Sequence, residues 1–112
     1  MFGLNFLNTT NDTNYQDLVN EIKSKTTQLV DIREKKEWQQ GRFNCAVNIP
    51  LSEIQNGIGI KKLLKYDSVS LHCRTGHRVK MADRILKSNG INHFSLLDIS
   101  IPKMIDLGLD YQ

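Results

Sequence analysis

Four short apolar runs, each set between stretches of helical periodicity, constrain this 112-residue chain more than any other feature. Gln28–Ile32, Ala46–Ile49, Val69–His72 and His93–Leu97 are too short for helices and read as strands. Between them the spacing changes. Tyr15, Leu18, Val19 and Ile22 fall at i, i+3, i+4 and i+7, which predicts a helix over residues 14–24 with Thr13 as N-cap and Gln16 closing a capping box. One or two helical turns follow over 34–39, and short helices over 51–55 and 60–65 flank Asn56-Gly57-Ile58-Gly59. Val79, Ala82, Ile85 and Leu86 make an apolar stripe whose helix stops at Asn89-Gly90, and a last short helix covers 102–107. Strands alternating with helices predict an α/β domain, its mainly parallel sheet covered on both faces. Ligands of such sheets bind beyond the carboxyl ends of the strands. Both Asp31-Ile32-Arg33 and the loop from Cys73 to Arg78 lie at such ends.

The length suits a single domain over residues 14–112, preceded by a poorly ordered Asn/Thr-rich leader over 1–13. No apolar run approaches the ~20 residues that a membrane helix needs. The first residues lack the basic region of a signal peptide, so a cytoplasmic location and two reduced thiols, Cys45 and Cys73, are expected. A net charge of +3 is too mild to argue for nucleic acid, and aromatic and basic residues do not interleave, so neither nucleic acid nor membrane is an expected partner. The placement of the charge matters more: residues 73–80 hold Arg74, Arg78 and Lys80 with no acid.

A strand, a tight glycine-containing loop and a helix start form an anion cradle, because successive amide hydrogens turn inward and the helix dipole adds positive charge. A cysteine at its mouth ionises more readily than a free thiol, and the thiolate is the nucleophile. Gly76 lets the backbone turn and approach a ligand, Thr75 offers a hydroxyl, and His77 with the two arginines favours an anionic substrate. Against this stands the common fate of a lone cysteine, a small buried hydrophobe. The flanking arginines, histidine and glycine at a strand-to-helix junction favour the reactive reading.

In three segments the chain resembles a single-domain rhodanese of the thiosulfate sulfurtransferase type. They are Leu29-Val30-Asp31-Ile32-Arg33-Glu34 with Glu37-Trp38, the stretch from Gly41 through Ala46-Val47-Asn48-Ile49-Pro50, and Cys73-Arg74-Thr75-Gly76-His77-Arg78. The resemblance implies a rhodanese-like fold with a central, mainly parallel five-stranded sheet and helices on both faces. It also implies a sulfurtransferase that needs no cofactor or metal. Cys73 would take sulfur from a small anionic donor such as thiosulfate and pass it to a thiol, a protein cysteine or cyanide. Residues 74–78 would hold the substrate, with Arg74 steering the donor's sulfonate and Arg78 bracing the loop or binding the anion. Asp31 and Arg33 would stand behind the pocket as supporting residues. The chain departs from the family pattern at Arg42-Phe43-Asn44-Cys45 and at Asp98-Ile99.

Two other readings compete. His72-Cys73 invites comparison with cysteine phosphatases and arsenate reductases, whose arginine falls six positions after the cysteine. Here that position is Val79, and a missing phosphate clamp removes transition-state stabilisation. A non-catalytic interaction module is the third class, since fold does not fix function. Cys45 reads as a packed small residue, with a resolving thiol for Cys73 as the alternative. His72 reads as a support for the loop, His93 as a surface residue and Trp38 as a helix anchor, while Lys35, Lys36, Lys61, Lys62 and Lys65 read as solvated.

Overall fold

The computed structural model describes the backbone of residues 6–112 and the side chains of residues 14–112. Residues 1–5 of the expected leader, and the side chains of the rest of it, lie outside the described residues. Helix α1 (Phe6–Lys23) takes in Thr13, which is therefore not its N-cap. There follow β1 (Gln28–Asp31), α2 (Lys35–Gln40), β2 (Val47–Asn48), α3 (Leu51–Gln55), α4 (Ile58–Leu63), β3 (Val69–His72), α5 (His77–Ser88), β4 (Phe94–Leu97) and α6 (Ile101–Asp106).

The sheet has four strands in the order β2-β1-β3-β4, each pair parallel. The expected count of five is thus corrected to four. The described residues hold one further pairing, an antiparallel bridge between Phe43 and Tyr111. It stops there because residues 44–45 turn at once toward β2, leaving no extended run to pair.

Alternation along the strands sorts side chains onto two faces. Val30, Leu71 and Val69 join Leu51, Ile54, Leu63, Val79, Ala82 and Leu86, which places α3, α4 and α5 on one face. Leu29 and Leu97 join Val19, Ile22, Phe43 and Met104, which places α1 and α6 on the other. A parallel sheet covered on both faces is buried throughout, and all four residues of β3 are buried.

The second face also buries charge. Asp31 and Arg33 are 0% and 2% exposed. Arg33 Nε donates to both carboxylate oxygens of Asp31 at 3.0 Å, Nη2 donates to Oδ2 at 2.7 Å, and the Arg33 amide donates to Oδ1 at 2.9 Å. The same Nη2 reaches the Gly41 carbonyl at 2.7 Å. Burial pulls the guanidinium pKa down, but the hydrogen bonds and charge of Asp31 outweigh it and the net shift is upward. The pair is a fully bonded strut rather than a free charge, and it ties the end of β1 to the chain entering Phe43. Removing one partner of a buried pair strands the other. Asp31→Ala is therefore expected to lower unfolding free energy by about 3–5 kcal/mol, read from urea denaturation, whereas a loss near zero would contradict this role.

Candidate active site

Cys73 is the first residue past the end of β3 and its side chain is 1% exposed. The sulfur is recessed, not set at the open mouth of the loop as its sequence position suggests. It packs at the edge of the cluster that contains Ile32, Ile49 and Val79. The Gly76 amide donates to its Sγ at 3.2 Å. The amides of Arg74 and Thr75 make no hydrogen bond among the described residues. Those of His77 and Arg78 begin α5, where no carbonyl four residues back is in position to accept them. The Gly76 amide thus meets the thiol beside the N-terminus of a 12-residue helix.

Gly76 makes this arrangement possible. It adopts φ 101°, in the left-handed region, and a Cβ there would meet the Asp98 carbonyl oxygen at 2.6 Å. The loop lies against the backbone that follows β4. A second contact fixes it, the Ile101 amide donating to the Arg74 carbonyl at 3.0 Å. The departure from the family pattern at Asp98-Ile99 leaves this packing intact because Asp98 contributes backbone. Its side chain turns away to accept a hydrogen bond from Tyr15 Oη.

The basic residues divide. Arg78 is held by Glu37 of α2 in a two-pronged pair, Nη1 to Oε2 at 2.7 Å and Nη2 to Oε1 at 2.9 Å. The Glu37 hydrogen bonds hold Arg78 in its charged form above the usual range, and the Cys73 thiol adds to the effect. Of the two roles the sequence allows Arg78, its contacts favour bracing. Glu37 itself also accepts the Glu34 amide at 3.0 Å, closing the capping box of α2. Arg74, Thr75 and His77 are exposed, and their side chains make no hydrogen bond among the described residues.

Asp31 and Arg33 do not touch Cys73. Asp31 is in register with His72, one strand away. His72 Nδ1 lies 3.1 Å from the Cys73 carbonyl, and the ring stacks edge-on against Phe43 at 5.1 Å. Burial pushes its pKa down, so the ring is neutral and its Nδ1–H donates to that carbonyl, a tautomer assigned from the contact. Nε2 stands 3.7 Å from Asp31 Oδ2 with no hydrogen-bond partner. Neighbouring strand-end residues point to opposite faces, so His72 and Cys73 do not converge on a common ligand. Val79 is fully buried in the core and presents no group to the loop. Cys45 is exposed beside Gln28, whose Nε2 donates to its carbonyl at 2.9 Å. That is the opposite end of the sheet from Cys73, too far for a disulfide in this conformation.

A family model for the rhodanese-like domain matches residues 14–106. The chain belongs to this family. It is 33% identical over 79 residues to thiosulfate sulfurtransferase PspE of Escherichia coli K12, covering 67% of this chain and 76% of that protein. It is 35% identical over 77 residues to a rhodanese domain-containing protein of Drosophila melanogaster, covering 58% of this chain and 69% of the relative. The crystal structure of a rhodanese-related protein from Thermoplasma volcanium superposes with a TM-score of 0.70 at 26% identity, covering 88% of this chain and 93% of that one. The rhodanese-like architecture is thereby established.

Residues that the sequence left without a role complete the site. Phe43, within the departing segment, fills the space between His72 and Tyr111, at 5.1 and 5.0 Å between ring centres. Arg42 lies over Trp38 at 5.1 Å and donates to its carbonyl. Glu37 was visible only in the Glu37-Trp38 pair of the resemblance, which announces no partner 41 residues away. Its pKa is lowered to about 2, first by Arg78, from 4.5. A lowered carboxylate pKa stabilises the fold above the unfolded value and loses that contribution as pH falls through the folded one. Glu37→Gln is expected to cost about 0.5–1 kcal/mol at pH 7, given its partial exposure. The gap from wild type should narrow below pH 4.5 and close near pH 2. Urea midpoints compared across that range check this; a gap independent of pH would remove the ion pair from the account.

Proposed function

We propose that the protein moves sulfane sulfur from thiosulfate or a similar anionic donor to a thiophilic acceptor through a Cys73 persulfide. The observation that carries this reading is the Gly76 amide on the Cys73 sulfur at 3.2 Å, in a loop whose other amides lack backbone partners. The Cys73 thiolate attacks the outer sulfur of thiosulfate. The sulfur–sulfur bond of the donor breaks and sulfite leaves with its electron pair. The outer sulfur, now on Cys73, accepts hydrogen bonds from the amides of residues 74–78. An acceptor, cyanide or a thiolate, attacks that sulfur and Cys73 departs as the thiolate. No external oxidant is consumed.

In this scheme Arg74 is the exposed cation at the loop mouth and meets the sulfonate end of the donor. Thr75 and His77, also exposed beside it, complete the anion's surroundings, while Gly76 brings its amide to the sulfur. Arg78 keeps the loop electropositive from its anchored position. Asp31 and Arg33 support the strand end from which the loop departs. Phosphate-ester or arsenate chemistry is disfavoured, since Val79 is sealed in the core where those enzymes need an arginine. A purely non-catalytic module has no use for an amide turned toward a recessed thiol.

Cys73→Ser is expected to abolish thiosulfate-dependent thiocyanate formation without changing the far-ultraviolet circular dichroism. Arg74→Ala is expected to raise the KM for thiosulfate about tenfold with little change in kcat, the mark of lost binding that is equal in ground and transition states. Normal turnover by the serine variant would refute the persulfide scheme, and an unchanged KM would remove Arg74 from donor binding.

A further inference from the structure

Helix α5 presents a basic stripe that leads away from the Cys73 loop and whose Lys80, Met81 and Arg84 the chemistry above leaves unused. His77, Lys80, Met81 and Arg84 are exposed at i, i+3, i+4 and i+7, one face of the helix, opposite the buried Val79, Ala82 and Leu86. Arg74, in the loop that precedes the helix, is a further exposed cation. Among the described residues neither Lys80, Arg84 nor Arg74 makes an ion pair. The acid nearest in sequence, Asp83, is occupied by Lys87 at 3.2 Å. Unneutralised cations at Lys80 and Arg84 on one helix face, with exposed Arg74 in the loop before it, mark a surface in a chain whose whole net charge is +3. Met81, 39% exposed in their midst, supplies an adaptable apolar contact.

We infer that this stripe docks an acidic, extended polypeptide segment whose cysteine thiol is the sulfur acceptor. The inference rests on the persulfide reading and narrows its acceptor. The recessed sulfur argues for the shape of the partner: a thiol on a slender segment reaches the loop, whereas one on a flat protein surface does not. The stripe argues for its charge, since acidic side chains meet three cations without a competing acid. The transfer itself balances. The acceptor thiolate, its proton given to solvent, attacks the outer sulfur of the Cys73 persulfide. A new sulfur–sulfur bond forms on the acceptor and the bond to Cys73 breaks with its electrons returning to Cys73. RNA is the less favoured occupant, because no Phe, Tyr or Trp side chain stands in the stripe to stack a base.

The test uses the full chain and a fluorescent ten-residue peptide with four aspartates around a central cysteine, beside a matched peptide with four asparagines. Anisotropy with the cysteine replaced by serine measures docking without sulfur chemistry. The aspartate peptide is expected to bind about tenfold more tightly than the asparagine one at low salt, a preference that shrinks in high salt. The double variant Lys80→Glu/Arg84→Glu should lose the preference while its thiosulfate-to-cyanide rate stays at the wild-type value. With the cysteine peptides, sulfur transfer from thiosulfate-loaded protein should show the same preference and the same loss. Equal binding of the two peptides, a preference that survives charge reversal, or displacement of the acidic peptide by a low concentration of single-stranded RNA would each overturn the inference. Loss of the cyanide rate in the wild-type protein would instead overturn the persulfide reading, with docking still decided by anisotropy.

Discussion

The approach of Gly76 to the Asp98 backbone is the contact on which the site depends. With no Cβ, the chain between β3 and α5 lies flat against the segment after β4, and the Gly76 amide turns back to the Cys73 sulfur. Any other residue would both strain a positive φ and push the Asp98 carbonyl from its place. The Ile101-to-Arg74 hydrogen bond then fixes the other side of the loop. Strand order thus becomes chemistry: β4 is the neighbour of β3, so the chain leaving β4 forms the wall against which the reactive loop is shaped.

Charge is distributed in layers around that loop. Under the sheet end, Asp31 and Arg33 neutralise each other in a buried, fully bonded pair, and a neutral His72 supports the Cys73 carbonyl. At the side, Arg78 is anchored by Glu37 and stays positive without being free to swing. Outward, Arg74, Lys80 and Arg84 are unpaired and exposed. The gradient from compensated to uncompensated charge runs from the core toward solvent, which keeps the interior inexpensive and leaves the positive field where an anion approaches.

Much of this was legible in the residues. The short apolar runs at Gln28–Ile32 and Val69–His72 and the stripe of Val79, Ala82 and Leu86 report burial directly, so the strands and α5 could be placed. The order of Cys73, Gly76 and α5 revealed the cradle. Other features were hidden because they arise from contacts distant in sequence. Nothing local to Glu37 announces Arg78, and nothing near Phe43 announces Tyr111 or His72. The recession of Cys73 depends on how Ile49 and Val79 pack around it, which no spacing encodes. The fifth strand came from resemblance alone; the sheet of the described residues has four.

Intact-mass spectrometry of the reduced protein after brief exposure to thiosulfate tests the central claim most directly, with peptide mapping to locate any change. The account predicts a gain of one sulfur atom, carried by Cys73 and not by Cys45, and its disappearance on adding cyanide. An unchanged mass, or sulfur found only on the exposed Cys45, would contradict it.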